Sequence, residues 1–559
     1  MRIKSLHFSF IILFILLAAC LYYLQILKGS AYKESSRRNS IRLLSIMAPR
    51  GIIYDRNGRI MADNALAFGV FIVPQEARDL DGEMKRLSSI LGVSESLLRR
   101  NYKRNYQAPF APCEVIKNIS KREAILIEES KLDMPGVLVK EFPLRRYVYK
   151  DAIAHLLGYA GEIDKRELEA LRSYGYSVKD LIGKAGVEKT MDALLRGRSG
   201  GMQVQVDNRG RQVKTLNLKR PKKGSDIHLT IYARLQNFIW KAMQGKKGAA
   251  VFMDVNTGEV LSLVSNPSYD PNESVSKILN GKDAPLLNRA IMGQYPPGSL
   301  FKIAVALAGL ESKKSKPSTS FICYGKFKVG AGRFHCWDRD GHGSMNLHRG
   351  IIESCNVYFY NLGLLLGADK IFEYAKEFGF GKKTGIDLLG EEAGFVPSRS
   401  WKRLEKGEGW YAGDTANFSI GQGYLLVTPL QVARFIAFVA NGGVVLKPHV
   451  LKKRGYDYRD TDLKIGKKNI EVVRKAMNGV VEDEAGTGAR AYSSIVSISA
   501  KTGTSQPGGG LKTHAWLAGF APSEAPQISF VVFLEHGGSG GATAAMIAKK
   551  AVEFWYKNR

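Results

Sequence analysis

Ser299-Leu300-Phe301-Lys302, entered from Tyr295-Pro296-Pro297-Gly298, is a stretch whose residue types and spacing could do chemistry. A loop ending in Pro-Pro-Gly and opening a helix puts Ser299 in the first turn and Lys302 one turn on, on the same face. A serine hydroxyl is a poor nucleophile until a base takes its proton. A lysine serves as that base only when burial and neighbours lower its pKa enough to leave a neutral amine. The helix start also offers backbone N–H groups to a developing oxyanion. Ser30/Lys33 and Ser274/Lys277 have the same spacing, so this pattern alone does not single out a nucleophile.

Ser354-Cys355-Asn356 is the second candidate. A hydroxyl and an amide two residues apart can face one cleft, the hydroxyl relaying a proton and the amide binding a substrate carbonyl. The competing reading is a helix cap for the segment that begins at Val357. Lys501-Thr502-Gly503-Thr504 is the third, at the end of a β-like run in which Val496 and Ile498 alternate with Ser497 and Ser499. On a strand Lys501 and Gly503 share a face, and the missing side chain leaves room for a substrate backbone along the edge. A lysine with two hydroxyls suits a carboxylate. Lys383-Thr384-Gly385 repeats the letters after Phe378-Gly379-Phe380-Gly381, with no strand before it, and reads as a turn.

Order decides what the single motifs cannot. Ser-x-x-Lys, Ser-x-Asn about fifty residues later, then Lys-Thr-Gly on a late strand is the set carried by penicillin-recognising serine acyltransferases. With it come Arg50-Gly51-Ile52-Ile53-Tyr54-Asp55-Arg56, the segment Gly379 to Leu388, Gly421-Gln422-Gly423, and Thr428-Pro429-Leu430-Gln431. Across nearly its whole length the chain resembles a class B penicillin-binding protein, a peptidoglycan DD-transpeptidase, and within that family the elongation subtype, penicillin-binding protein 2. The resemblance implies an α+β fold: a transpeptidase domain with a β-sheet flanked by helices, preceded by an elongated α+β pedestal and one transmembrane helix. It implies acyl transfer from a stem pentapeptide donor through Ser299 to the amine of an acceptor stem. Lys302 is then the base and Ser354 the proton relay. Asn356 holds the substrate amide, and Lys501, Thr502 and Thr504 beside Gly503 hold the terminal carboxylate. It also implies acylation by β-lactams, no organic cofactor, and a polytopic SEDS-family glycosyltransferase as partner. The alternatives are a serine β-lactamase, which needs neither anchor nor pedestal, and a non-catalytic penicillin sensor or scaffold.

Cys323, Cys336, His342 and Cys355 form C-x12-C-x5-H-x12-C. Three cysteines and a histidine make a structural zinc set, although these spacings are wider than in ordinary zinc modules. If Ser354 and Asn356 face the cleft, Cys355 between them points inward, where a metal would clamp the loop. The window's glycines make it poor in regular structure, so a staple would help to order it. A Cys323–Cys336 disulfide and free buried thiols are the alternatives. In the family resembled, such sites can include carboxylates, which brings in Asp338 or Asp340.

These residues need elements to carry them. The chain has 559 residues, 45% hydrophobic and 24% charged, which are globular values for two or three domains and exclude a disordered chain. The formal charge is +30, which calls for an anionic partner. Phe8 to Leu27 is an uncharged apolar run of twenty residues, spanning about 30 Å as a helix, the thickness of a bilayer core. Leu17-Ala18-Ala19-Cys20 resembles a lipoprotein processing site, but the apolar run continues past it. A single-pass anchor follows, with everything after it on one side, although Arg and Lys flank both ends of the run and do not fix its orientation. The resemblance implies the bacterial inner membrane with everything after the anchor periplasmic, in which case nucleic acid drops out as the anion. Segments 76–104 and 121–131 have helical spacing, and Arg50 to Ile60 reads as a hairpin. Lys219-Arg220-Pro221-Lys222-Lys223-Gly224 reads as a linker. The expected organisation is therefore tail and anchor (1–28), non-catalytic pedestal (29–222) and transpeptidase (223–559). In the last, strands near 249–264 and 495–533 flank a helical middle over 287–445.

Overall fold

The computed structural model describes residues 2–206, 212–273, 283–330, 332–452, 458–463, 465–507 and 510–559, so Ser274 and Lys277 lie outside the described residues. Two compact units are formed by a chain that crosses between them several times. The first comprises Met1–Gly51, Asn64–Arg146 and Arg196–Ser225, the second Ile52–Asp63, Tyr147–Leu195 and Asp226–Arg559. Of the segment 29–222 expected as the pedestal, Ile52–Asp63 and Tyr147–Leu195 pack with the second unit.

In the first unit, His7–Leu27 is helical, apolar and long enough to cross a bilayer. The helix Gly29–Ser40 and a three-stranded antiparallel sheet follow, in the order Ile41–Ile46, Gly200–Val206, Gln212–Lys219. Gly200 and Gly201 open the middle strand. Elsewhere in this unit the helical spacing over 76–104 resolves into two helices, Leu80–Leu91 and Glu95–Asn105, broken at Gly92 in the left-handed conformation. They pack with Lys121–Glu129 through Met84, Leu87, Leu98 and Ile127 onto Val70, Ile72 and Val115.

The second unit is built on a five-stranded antiparallel sheet in the order Val260–Asn266, Gly248–Asp254, Ile528–Leu534, His514–Ala521, Ser499–Ser505. Every residue of Ile528–Leu534 and His514–Ala521 is buried, because helices cover both faces. Ala233–Ala242 and Ala545–Asn558 lie on one side and Pro429–Ala440 on the other. Such strands read as continuous apolar runs rather than alternating ones. The edge strand is where the sequence misleads. The alternation at 495–498 lies outside it, and Ser499–Ser505 carries Lys501 to Thr504 in its middle. The middle of the chain also contains strands: Ser320–Cys323 pairs with Gly343–Asn346, and Lys326–Val329 with Gly332–His335. The Gly-rich cysteine window is thus two short ribbons.

The hairpin read at Arg50 to Ile60 exists: Ile53–Tyr54 pairs with the start of Ile60–Ile72 and, in parallel, with Ile227–His228. Buried Asp55 holds it. Oδ1 accepts from the Asn57 and Arg59 N–H groups, both at 2.8 Å, and Oδ2 accepts from the Ala233 N–H at 3.3 Å. Removing that carboxylate leaves enclosed donors without partners. Asp55→Ala should destabilise this unit by about 2–4 kcal/mol. The midpoint of denaturant unfolding, followed by near-UV circular dichroism, checks it.

Candidate active site

The turn Gly298–Phe301 runs directly into the helix Lys302–Glu311, which is buried almost all round. Gly298 sits at φ +56°, and a Cβ there would meet the Thr504 carbonyl oxygen at 2.7 Å. Its N–H donates to the Gly421 carbonyl at 3.0 Å. From the same loop Gln422 Nε2 reaches the Thr504 carbonyl at 3.4 Å. Glycine is therefore required where the serine turn leans on the edge strand. Ser299, the next residue, is half-buried.

Lys302 is fully buried. Its Nζ donates to the Ser354 carbonyl at 2.7 Å and to Asn356 Oδ1 at 2.7 Å, and it lies 3.3 Å from Ser354 Oγ. Burial pulls its pKa down to about 8, against the opposing pull of the Cys355 and Cys336 thiols. The acceptors converge because Ser354 adopts φ +55°, an unfavourable conformation for a residue with a side chain. It is held there by its own N–H to Ile351 O at 3.3 Å and by the Cys355 N–H to Gly350 O at 3.0 Å. Ser354 caps nothing. The next helix is Asn356–Leu366, and its cap is Cys355, whose Sγ accepts from the Tyr358 N–H at 3.4 Å.

Lys501 is also fully buried, with Nζ 3.2 Å from the Thr502 carbonyl. Burial holds its pKa well below the usual lysine range, and the charge of Lys302 lowers it further. Two amines enclosed together cannot both be charged cheaply without an anion between them, which makes the space receptive to a carboxylate. Gly503 serves a purpose other than the one expected. A Cβ there would meet the Pro297 carbonyl and Leu300 Cγ at 3.0 and 3.1 Å, so its missing side chain admits the serine turn. Thr504 is exposed, and its Oγ1 accepts from the Gly540 N–H at 3.5 Å. Thr502 is buried and donates to Thr487 Oγ1 at 2.8 Å. Lys302, Ser354, Asn356 and Lys501 are thus gathered in one enclosed space, with Ser299 and Thr504 at its more open rim, whereas the Thr502 hydroxyl is committed to Thr487.

Thr487 was not legible in the sequence. Its Oγ1 and N–H both reach the Ile352 carbonyl at 3.4 Å, two residues before Ser354, while the same Oγ1 accepts from Thr502. It ties the second motif to the third. The local signals, Gly486 and Gly488, mark only a turn. The Lys383-Thr384-Gly385 copy is a loop whose Thr384 N–H, Thr384 hydroxyl and Gly385 N–H all donate to Glu391.

Behind Asn356 lies the cysteine cluster. The ligand atoms of Cys323, Cys336, His342 and Cys355 lie within 4.8 Å of one another, and both Cys323 Sγ and Cys336 Sγ are 3.5 Å from His342 Nδ1. A tetrahedral zinc with ordinary bond lengths demands N···S edges of about 3.5 Å and S···S edges of about 3.8 Å. All three thiols are free, so the Cys323–Cys336 disulfide is not formed. A hydrogen bond from Cys355 holds the Cys336 thiol well below its ordinary pKa and Cys355 well above, and contact with Cys336 raises His342 to about 9. Asp338 instead accepts from the Asp340 N–H at 3.0 Å, and neither belongs to the cluster. The Asn356 N–H donates to Cys336 Sγ at 3.3 Å.

Comparison with known proteins agrees with this geometry. Residues 248–553 match the penicillin binding protein transpeptidase domain, and residues 45–229 the penicillin-binding protein dimerisation domain. The peptidoglycan D,D-transpeptidase MrdA of Haemophilus influenzae is 33% identical over 96% of this chain and 89% of its own. The penicillin-binding protein PBP2 of Helicobacter pylori, solved in complex with MreC, superposes with a TM-score of 0.81 at 29% identity, covering 92% of this chain and 99% of that one. A chain from a structure describing the coordination of polymerization and crosslinking by a peptidoglycan synthase complex gives 0.75 at 28% identity, covering 100% and 99%. A buried lysine beside a serine turn, set against a Lys-Thr-Gly edge strand in a chain matching both domains, places this protein among the class B penicillin-binding proteins, as a peptidoglycan D,D-transpeptidase of cell-wall elongation and a target of β-lactams.

Proposed function

We propose that Ser299 is the acyl-carrying nucleophile and Lys302 the base that activates it. The observation that carries this reading is the Lys302 amine, buried, depressed to about 8 and held by Ser354 and Asn356. At neutral pH a fraction of it is neutral and can take the Ser299 proton as Oγ bonds to the penultimate D-Ala carbonyl carbon. The oxyanion that forms faces the backbone N–H groups of Ser299 and Thr504. Collapse breaks the bond to the terminal D-Ala, whose amine leaves with a proton passed from Lys302 through Ser354. An acceptor amine then attacks the ester, loses its proton by the reverse route and regenerates Ser299. Lys501 supplies positive charge for the donor's terminal carboxylate, with Thr504 at the rim and Thr502 acting through Thr487. A β-lactam enters as a strained mimic and stays as the Ser299 ester.

The test is intact-mass spectrometry after incubation with penicillin, paired with a cross-linking assay on stem pentapeptides. Ser299→Ala should carry no adduct. Lys302→Arg keeps the charge but has no accessible neutral form, and should acylate at least about 10²-fold more slowly. An adduct on Ser299→Ala, or Lys302→Arg acylating within a few-fold of the parent, overturns the assignment. Stable acylation without peptide dimers would identify a sensor, and rapid release of hydrolysed drug a β-lactamase.

Thr487 acts as a positioning residue for this chemistry, because it spaces Ser354 from the strand bearing Lys501. Thr487→Val keeps its shape and removes the bridge. Acylation should slow by about 10-fold with drug binding little changed, and Thr487→Ser should restore it, as stopped-flow acylation at varied drug concentration would show.

The Cys323, Cys336, His342 and Cys355 cluster is proposed as a structural zinc site. Its donor set and 3.5 Å edges support this, and four protein ligands leave no open position for catalysis. When bound, the ion would neutralise thiolate charge and brace the Ser354 turn. Elemental analysis should give about one zinc per chain, lost in His342→Ala together with thermal stability. The anchor helix supports a single-pass inner-membrane protein with both units periplasmic. The synthase complex among its structural relatives supports a SEDS-family glycosyltransferase as partner.

A further inference from the structure

The membrane-proximal sheet of the first unit carries a charge that the catalytic site does not use. Between Arg196 and Ser225 the sequence has nine Lys or Arg and one acidic residue, Asp207. Its edge strand Gln212–Lys219 and the segment that continues it expose Lys214, Lys219, Arg220, Lys222 and Lys223. Lys222 is tied back to the sheet by two mutual backbone hydrogen bonds of 2.8 Å with Arg198, which is exposed too. Among these cations the same strand exposes Val213, Leu216 and Leu218, at 66%, 43% and 50%. Lysines interleaved with exposed aliphatic residues fit neither a simple solvated face, which would shed the aliphatics, nor a core.

The chain's connectivity says what lies nearby. His7–Leu27 leads through the twelve-residue helix Gly29–Ser40 into Ile41–Ile46, which pairs with Gly200–Val206, the neighbour of Gln212–Lys219. That helix spans about 18 Å, so the sheet begins no farther than this from the end of the span. So tethered, the cations of this edge can come within one screening length of the headgroups, about 8 Å at physiological salt, where they experience the anionic field, and aliphatic side chains among them can enter the interfacial layer.

We propose that the edge formed by Gln212–Lys219 and Arg220 to Lys223 lies on the membrane and binds anionic phospholipid headgroups, docking the first unit on the bilayer that holds its anchor. The lipid is favoured over a protein partner because the anchor delivers this edge to the bilayer covalently. The inference rests on the anchor reading, and one experiment separates the two. The full chain is reconstituted in nanodiscs of phosphatidylcholine, with and without phosphatidylglycerol, and followed by hydrogen exchange with no second protein present. Failure to enter discs of either composition overturns the anchor, and this inference with it. Given entry, amides of Gln212–Lys219 should exchange at least three-fold more slowly in the anionic discs. The difference should vanish at 1 M salt, where the screening length falls to about 3 Å. It should also vanish in the variant combining Lys214→Gln, Lys219→Gln, Arg220→Gln, Lys222→Gln and Lys223→Gln. A companion with Arg at the four lysine positions should keep it, which guards against a folding defect. Equal exchange in both lipids overturns the proposal. So does protection that appears only when a soluble anionic wall polymer or a second membrane protein is added.

Discussion

The Lys302 amine is fully buried, and its acceptors come from one strained turn more than fifty residues away along the chain. Ser354 O and Asn356 Oδ1, each at 2.7 Å, stabilise the ammonium, while burial opposes it. The balance leaves an amine whose pKa is lowered to about 8 instead of an ordinary lysine. Everything else in the second unit keeps that balance in place. The Ser354 turn must stay left-handed and the helix Asn356–Leu366 must begin where it does, while Lys501 stays near enough for its amine to feel the charge of Lys302.

The edge strand Ser499–Ser505 supplies the second wall of the site, and backbone approach sets the gap. Gly298 and Gly503 face each other's elements without side chains, so the serine turn rests on the strand at carbonyl distance. Thr487 closes the opposite end through Ile352 and Thr502. An open edge at the end of an otherwise covered sheet leaves backbone groups for an extended peptide, which is what a stem peptide offers. In the proposed function, Lys501 beneath it would then answer the carboxylate that ends the donor.

What was legible in the sequence is what depends on neighbours in the chain. Ser299 and Lys302 lie one helical turn apart whatever surrounds them, and the hairpin at Asp55 announces itself through Asp-Arg-Asn-Gly. Relations fixed by distant segments were not legible. The alternation of Val496 and Ile498 imitates a strand, yet pairing with His514–Ala521 selects Ser499–Ser505. Glycines at 325, 330, 332, 341 and 343 suggested a window poor in regular structure, whereas they serve two narrow ribbons. Thr487 has no local signal at all. Nor does the exchange of segments between the two units, since hydrophobic periodicity states that a strand is buried but not in which unit.

The cysteine cluster and the acceptors of Lys302 share one short piece of chain at Ser354 to Asn356, and this explains why a structural ion would matter to chemistry it never touches. Asn356 gives its side-chain oxygen to Lys302 and its backbone N–H to Cys336 Sγ, while Cys355 caps the helix that Asn356 starts. A thiol with its proton accepts weakly, whereas a thiolate is a strong acceptor. Unmetallated, Cys336 and Cys355 must divide protons between them, with Cys336 the more acidic, and His342 adds another charge. A bound zinc would remove that ambiguity by keeping all three sulfurs deprotonated and fixed. The Asn356 N–H would then have a permanent partner, and the Ser354 turn could not relax out of its unfavourable φ. A metal bound behind the second motif would thus hold the acceptors of Lys302 without exposing them to water, which a solvent-exposed loop of the same residues could not do.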